Sequence, residues 1–167
     1  MLDFNYIEWF KSFPPEMATA IIAMIPIAEL RASLPIALVV YKLPLISAFF
    51  WSISGNMLPI VFLVWLVGPV ANFLIKRSKL AERFFEWWFR RVKEKFKQKS
   101  LKYGVQLALV LFVAIPLPLT GAWSGAVASF LFDIPPRRSL LLIFCGVVMA
   151  GIAVTLLTQA GIFVTGQ

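Results

Sequence analysis

The sequence predicts an all-α integral membrane protein, and its composition and its charge-free stretches are the observations that predict this class. Hydrophobic residues make up 60% of the 167 residues and charged residues 14%, whereas soluble domains have about 25% charged residues. Residues 43–75, 103–132 and 139–167 contain no Asp, Glu, Lys or Arg, and each stretch exceeds the ~20 residues that a helix needs to cross the hydrocarbon. A soluble helical core is disfavoured, because a chain of this length cannot bury so much apolar surface.

The amino-terminal segment, residues 1–16, is predicted to form a helix in the membrane interface. Two acidic residues precede its first basic residue and no small-residue cleavage site follows, so the segment does not have the pattern of a signal peptide. Aromatic rings are favoured at the interface. The side chains that would lie along one side of this helix are Phe4, Ile7, Trp9, Phe10 and Phe13.

Charge is concentrated in residues 76–102, which hold eleven basic and three acidic residues and account for the whole net charge of +8. The positive-inside rule places this segment in the cytoplasm, where it would contact anionic lipid head groups. Nucleic acid is the other partner that a basic face can bind, but attachment between two membrane segments disfavours it. An amphipathic helix is predicted here by a row of apolar residues at every fourth position: Leu80, Phe84, Trp88, Val92 and Phe96, with Phe85 and Trp87 beside them.

The two halves of the chain resemble each other. The stretches "AMIPIAELRASLPIALVVYKLP" and "VAIPLPLTGAWSGAVASFLFDIP" each contain an Ile-Pro, a stretch rich in small residues, a charged residue and a second X-Pro. This predicts two copies of one unit, repeat 1 at residues 17–75 and repeat 2 at residues 103–167. Each repeat is an apolar segment interrupted by proline and then an uninterrupted one, which is a pattern of transporter binding sites. Three pairs correspond at an offset of 90 or 91: Pro26 with Pro116, Pro44 with Pro135, and Gly55 with Gly146.

Two topologies are compatible with this pattern. If the interrupted segments both cross the membrane, the chain has four spans, and Arg137 and Arg138 lie opposite the basic helix, against the positive-inside rule. If both segments are re-entrant helical hairpins, the two arginines share the cytoplasm with that helix. Half-helices of about 9 to 12 residues rise ~14 to 18 Å and so reach the midplane. The hairpin topology is favoured; it makes the two repeats inverted, with each hairpin followed by one transmembrane helix. The residues assigned to the bends are Pro26, Pro35, Pro116 and Pro118.

The stretches "ELRASLP" and "IPLPLTGAWSGA", the Ile-Pro before each, and the basic linker between the halves resemble the small multidrug export protein family. More remotely, they are similar to the DedA-type, or SNARE-associated, membrane proteins. The resemblance implies paired re-entrant hairpins and transmembrane helices, and movement of undecaprenyl phosphate or another phospholipid by a proton or sodium gradient. The resemblance also implies that Glu29 corresponds to an acidic residue of the first hairpin. Arg137 and Arg138 would correspond to arginines in or after the second hairpin.

An ionisable pair, Glu29 and Arg31, lies inside an otherwise apolar run. Each charge costs at least ~2.5 to 3.5 kcal/mol at the centre of a membrane helix, so chance is a poor explanation for the pair. A bend at midplane depth is tolerated where protein or a water-filled cavity covers it, and the pair would line that cavity. Arg31 would hold an anionic head group, and Glu29 would be the ion-coupling residue. The alternative is that the pair is purely structural. In the second bend, Thr120 would contribute its hydroxyl to the cavity, Gly121 would allow close helix packing, and Trp123 would line the cavity.

Three classes of function follow. The first is a secondary membrane transporter that translocates an anionic lipid or lipid-linked phosphate. The second is efflux of cationic drugs, with Glu29 as the exposed carboxylate. The third is a membrane scaffold that does not transport, in which the basic helix recruits partners or anionic lipid.

Other chemistry is disfavoured by what the sequence lacks. It has no histidine, a single cysteine (Cys145) and no phosphate-binding loop motif, so we expect no metal site, no cofactor and no enzymatic activity. A multi-pass protein of the cytoplasmic membrane is expected. Two spans and two hairpins make a thin shell, and the small residues around Gly125 suit close helix contact. We therefore expect a homo-oligomer.

Overall fold

The computed structural model describes residues 13–115 and 120–165, and every element in them is helical, which confirms the all-α class. The predicted interfacial helix lies almost wholly outside the described residues. The elements are α1 (Pro15–Met24), α2 (Glu29–Pro35), a π-helical segment (Ile36–Val40), α3 (Leu45–Arg77), α4 (Lys79–Tyr103), α5 (Val105–Ala114), α6 (Ala122–Leu131) and α7 (Pro136–Thr165).

Two of these helices are long and apolar enough to cross a membrane. They are Leu45–Arg77 and Pro136–Gly161, with mean hydropathies of 2.2 and 2.8. The 33 residues of α3 span ~50 Å at 1.5 Å per residue, against about 30 Å of hydrocarbon. Large apolar side chains such as Phe62 and Trp65 are exposed along α3, as lipid contact requires. Length and composition therefore indicate a membrane protein.

The shorter helices α1 and α5 each have ten residues, a rise of ~15 Å. Each ends at an isoleucine in extended conformation, Ile25 (φ −70°, ψ 127°) and Ile115 (φ −79°, ψ 122°). Both isoleucines precede a proline in the sequence. A proline disfavours the α-helical conformation in the residue before it, so each helix stops at this position.

The same local geometry recurs where the next long helices begin. Lys42 and Asp133, 91 residues apart, both have φ 52°. Each follows a helical segment and precedes an X-Pro that leads into α3 or α7. A left-handed residue followed by proline is a common way to end a helix and redirect the chain. The first turns of both long helices also match, since Ala48 N–H bonds to Pro44 O and Ser139 N–H to Pro135 O, each at 2.9 Å.

The π-helical segment after Pro35 is the feature that the sequence pattern did not predict. Pro35 was assigned to a hairpin bend, but its backbone is helical (φ −59°, ψ −42°). Proline has no N–H to bond the preceding turn, and beyond it the Tyr41 N–H bonds to Ile36 O, five residues back, at 3.0 Å. The helix therefore continues through Pro35 into a wider π-helical turn. The turn of this hairpin lies instead at residues 25–28.

The chain divides into two compact units, residues 1–56 with 151–167, and residues 57–150. The first unit contains α1, α2, the π-helical segment, the start of α3 and the end of α7. In it Gly55 meets the backbone of Ala20. A methyl group on Gly151 would lie 2.8 Å from Phe49 Cε2 and 3.4 Å from Leu30 Cδ1. Helices α1, α2, α3 and α7 are therefore in close contact within this unit.

The second unit is built on α4, which packs against α5 and α6. The Phe96 ring lies 5.7 Å from that of Phe112 and 4.6 Å from that of Phe132, measured between centroids. A methyl group on Gly125 would lie 2.7 Å from Val113 Cγ2. The small residues of α6 are buried in this packing. The helix face that suggested an oligomer contact is thus used inside the chain.

The apolar row of α4 does not form one continuous buried stripe. Val92 and Phe96 are buried, whereas Leu80 and Phe84 are exposed. A spacing of four residues turns the row by about 40° per step, and hence by about 160° from Leu80 to Phe96. The two ends of the row therefore face different directions. Only the carboxyl-terminal end of the row packs against the other helices of the second unit.

Candidate functional site

Glu29 has a strained backbone and a buried side chain. It is the first residue of α2, has φ 48°, is 6% exposed, and its N–H bonds to Ile25 O at 2.9 Å. Among the described residues, the other non-glycine residues with positive φ are Lys42 and Asp133, which end helical segments in the ordinary way. Glu29 begins a helix instead. Such strain costs roughly 1–3 kcal/mol and is common at functional sites.

Arg31 lies two residues further along α2 and is half-buried. Glu29 and Arg31 both have interaction partners in the structure. A pair of charges in such an environment interacts more strongly than on an exposed surface. The structure therefore keeps the predicted pair together in the first unit.

Five buried side-chain oxygens of this same unit have no hydrogen-bond partner: those of Ser33, Tyr41, Ser52, Asn56 and Thr155. Several other helical hydroxyls of the described residues bond to carbonyls of their own helix. Examples are the bond from Thr158 to Val154 O at 2.8 Å and that from Ser129 to Ala126 O at 2.8 Å. An unsatisfied buried polar group costs about 1–3 kcal/mol. A polar ligand or water that reached these oxygens would remove this cost.

Ser52 and Asn56 lie one turn apart on α3, and helix geometry fixes the direction in which they point. Measured around the helix from Gly55, Ser52 lies at about 60°, Asn56 at about 100° and Phe49 at about 120°. Gly55 contacts α1, and Phe49 contacts α7 at Gly151. The two polar residues thus face the wedge between α1 and α7. The sequence interpretation missed them, although two polar residues at i and i+4 in a charge-free membrane helix were a usable signal.

The predicted residues of the second bend belong to the second unit. The Thr120 hydroxyl donates to Ile115 O at 2.8 Å. Gly121 precedes α6 with φ 139°, in the left-handed region that favours glycine. Trp123 is half-buried in the first turn of α6. Pro116 and Pro118 lie outside the described residues.

Arg137 and Arg138, also predicted as binding residues, lie in the first turn of α7 and are exposed. The structure therefore divides the predicted set into Glu29 with Arg31 in the first unit and the remaining described residues in the second. In the part of the chain that the structure describes, no three His, Cys, Asp or Glu side chains form a group that could hold a metal ion.

Comparison with known proteins gives one family match. Residues 29–153, about three quarters of the chain, match the family described as "Putative small multi-drug export protein". The matched region begins at Glu29 and includes Arg31, Ser52 and Asn56, and it confirms the resemblance seen in the sequence. No curated protein and no solved structure matches the chain.

Proposed function

We propose a lipid-transport function for this chain, which belongs to the small multidrug export protein family. The family and the two long apolar helices support a membrane transporter with an export role. Our proposal is more specific. The protein is a secondary transporter of the DedA-like type that translocates an anionic lipid or a lipid-linked phosphate, such as undecaprenyl phosphate, with coupling to an ion gradient.

The observation that carries the proposal is the buried and strained Glu29 beside Arg31. The guanidinium fork of arginine suits the oxygens of a phosphate, so Arg31 is the residue for the anionic head group. Glu29 neutralises Arg31 when the head group is absent and is the ion-coupling residue. Charges within a membrane segment are costly and mark substrate or ion pathways, which favours this role over a purely structural pair.

The unpartnered oxygens of the same unit support a polar ligand. The hydroxyls of Ser33, Ser52 and Thr155 can each donate a hydrogen bond to a phosphate oxygen. The Asn56 amide oxygen can accept one from a head-group hydroxyl or from water. Binding would satisfy groups that are otherwise buried without partners, so the ligand gains affinity at these positions.

The proposed mechanism uses re-entrant hairpins in inverted repeats. Three features support this arrangement: the half-membrane length of α1 and α5, the matching breaks at Ile25 and Ile115, and the matching turns at Lys42 and Asp133. In an inverted pair, the hairpins open to opposite sides of the membrane. A head group held at the bend of one hairpin can then be exposed to either side in turn, which is the requirement for alternating access.

A second candidate is efflux of cationic drugs, which the family description favours. In this reading the Glu29 carboxylate binds the cation, and the Arg31 guanidinium repels the cation. Replacement of Arg31 by alanine should then raise transport. The lipid reading predicts the opposite result for the same variant, because Arg31 would bind the head group.

Reconstitution into liposomes tests the proposal. Fluorescent polyprenyl phosphate and a cationic dye are supplied separately, with and without an imposed proton or sodium gradient. We expect gradient-dependent translocation of the polyprenyl phosphate by the wild type and by Lys93→Ala, an exposed cation of α4, and loss of translocation by Arg31→Ala. Dye transport that increases in Arg31→Ala would favour drug efflux, and the absence of any translocation would refute both transport readings.

A further inference from the structure

The amino-terminal half of α4 exposes three large apolar side chains. Leu80, Phe84 and Trp87 are 78%, 53% and 40% exposed. Their spacing of four and three residues places them on one face of the helix. The carboxyl-terminal half of α4, by contrast, buries Val92 and Phe96. One end of the helix therefore packs on its own unit, and the other end offers an apolar face.

This face lines an open groove of about 840 Å³ where α3 gives way to α4. Leu74 of α3 and Phe84 and Trp87 of α4 are among its apolar walls, and Arg83 also lines it. The junction itself is ordered, since the Ser78 N–H bonds to Leu74 O at 3.0 Å and the Glu82 N–H bonds to Ser78 O at 3.0 Å. The groove is thus held between two continuous helical segments.

The surroundings of the groove are strongly basic. Residues 76–91 contain six basic and two acidic residues. The Arg83 side chain is exposed, and the Arg91 guanidinium lies 5.8 Å from the centroid of the Trp87 ring. A ligand that combines an apolar part with negative charge therefore suits this groove.

The position of the groove identifies the source of such a ligand. It lies directly after α3, whose last turn carries Lys76 and Arg77. The end of a membrane-spanning helix lies at the level of the lipid head groups, where tryptophan is also favoured. Lys and Arg at this level attract anionic lipid. A phospholipid is therefore the amphiphile that the groove meets at the highest concentration.

We propose that this groove is a binding site for one anionic phospholipid. Its acyl chain lies against Leu74, Phe84 and Trp87, and its phosphate is bonded by Arg83, whose fork suits phosphate oxygens. The site is separate from Glu29 and Arg31, which belong to the other unit. It does not depend on the transport of lipid, and a protein that transports nothing could still bind lipid here.

Lipid binding to the purified full-length protein tests this site. Native mass spectrometry in detergent, with phosphatidylglycerol or phosphatidylcholine added at equal concentration, gives the affinity for each lipid. The variants are Arg83→Ala, Trp87→Ala and the matched control Lys93→Ala, an exposed cation on the same helix. Arg83 is exposed, so its replacement leaves the core intact, and the circular dichroism melting curve of each variant checks that it is folded.

We expect the wild type to prefer phosphatidylglycerol, with affinity falling about fivefold in Arg83→Ala because one basic contact with anionic lipid is lost. Trp87→Ala should weaken binding of both lipids, and Lys93→Ala should match the wild type. Equal affinity for the two lipids would overturn the proposal, and so would equal losses of affinity in Arg83→Ala and Lys93→Ala. Either result would mean that lipid is not bound at a specific site around Arg83. A dimer that Trp87→Ala dissociates would also overturn the proposal by assigning the face to a second copy.

Discussion

Gly55 and Gly146 make the same kind of contact in their two units. Gly55 brings α3 against the backbone carbonyl of Ala20 in α1, and Gly146 brings α7 against that of Val110 in α5. The two glycines are 91 residues apart and the two carbonyls are 90 residues apart. In both units a ten-residue helix thus packs on the long helix that follows it through a position where any side chain would collide with backbone.

Replacement of either glycine by alanine should destabilise the protein. A methyl group on Gly146 would lie 2.8 Å from Val110 O, and on Gly55 it would overlap the Ala20 carbonyl. Backbone cannot rotate away as a side chain can, so we expect each substitution to lower the free energy of unfolding by about 1–3 kcal/mol. Thermal unfolding in detergent, followed by circular dichroism, measures the effect.

Gly161→Ala is the matched control, because a methyl group there would have no heavy atom within 4 Å. This variant should be as stable as the wild type or up to about 1 kcal/mol more stable, because alanine favours the helix. Equal melting temperatures for all three variants would show that the helices are not packed at Gly55 and Gly146 as described.

Membrane topology is tested by single cysteines at Lys42 and Arg138 in a Cys145→Ser background. In the re-entrant topology, a membrane-impermeant maleimide should label Lys42→Cys from outside the cell. Arg138→Cys should be labelled only after the cells are permeabilised. Lys42 precedes α3 and Arg138 lies in the first turn of α7, and both are exposed, so labelling reports the side of the membrane. Equal labelling of both positions in intact cells would instead support four full spans.

Assembly is a separate prediction. The small residues of α6 are buried within their own unit, so a contact between copies would use another surface, such as the exposed apolar side chains of α3. We expect a homo-oligomer, because only two helices of the described residues are long and apolar enough to cross a membrane. Native mass spectrometry after transfer from nanodiscs measures the mass. A monomer that retains transport would contradict this expectation.

Single substitutions of the charged pair should separate function from folding. If Arg31 binds the head group, Arg31→Ala should weaken binding of polyprenyl phosphate at least about tenfold, as loss of a charge-assisted bond does. Glu29→Gln should keep most of the binding and lose the response of transport to the ion gradient. A purely structural pair predicts instead that both variants lose about 3–5 kcal/mol of stability together, because each leaves a buried charge without its partner.

The sequence predicted the breaks in the helices more accurately than it predicted their faces. Ile25 and Ile115 end their helices because the proline that follows restricts local backbone conformation, and this information is contained in two adjacent residues. Pro35 shows the limit of the same rule. Whether a proline bends a helix or is absorbed by a π-helical segment depends on the packing around it, which no short motif records.

The candidate site was predicted in part for a similar reason. A charge in an apolar run is conspicuous in the sequence, so Glu29 and Arg31 were the residues predicted there. Ser52 and Asn56 are small or neutral, and their significance depends on having no hydrogen-bond partner when buried. Membrane helices commonly satisfy such groups through their own carbonyls, and only the structure shows that these two do not.

The double variant Glu29→Gln/Arg31→Ala tests the central claim most directly, namely that this pair is the transport site. A purely structural pair predicts that the double variant recovers much of the stability lost in the single variants, because no unpaired charge remains, and that it is active. The measurement is translocation of polyprenyl phosphate in liposomes by the double variant. We predict that it is folded and inactive. Translocation at the wild-type rate would show that Glu29 and Arg31 are not the site.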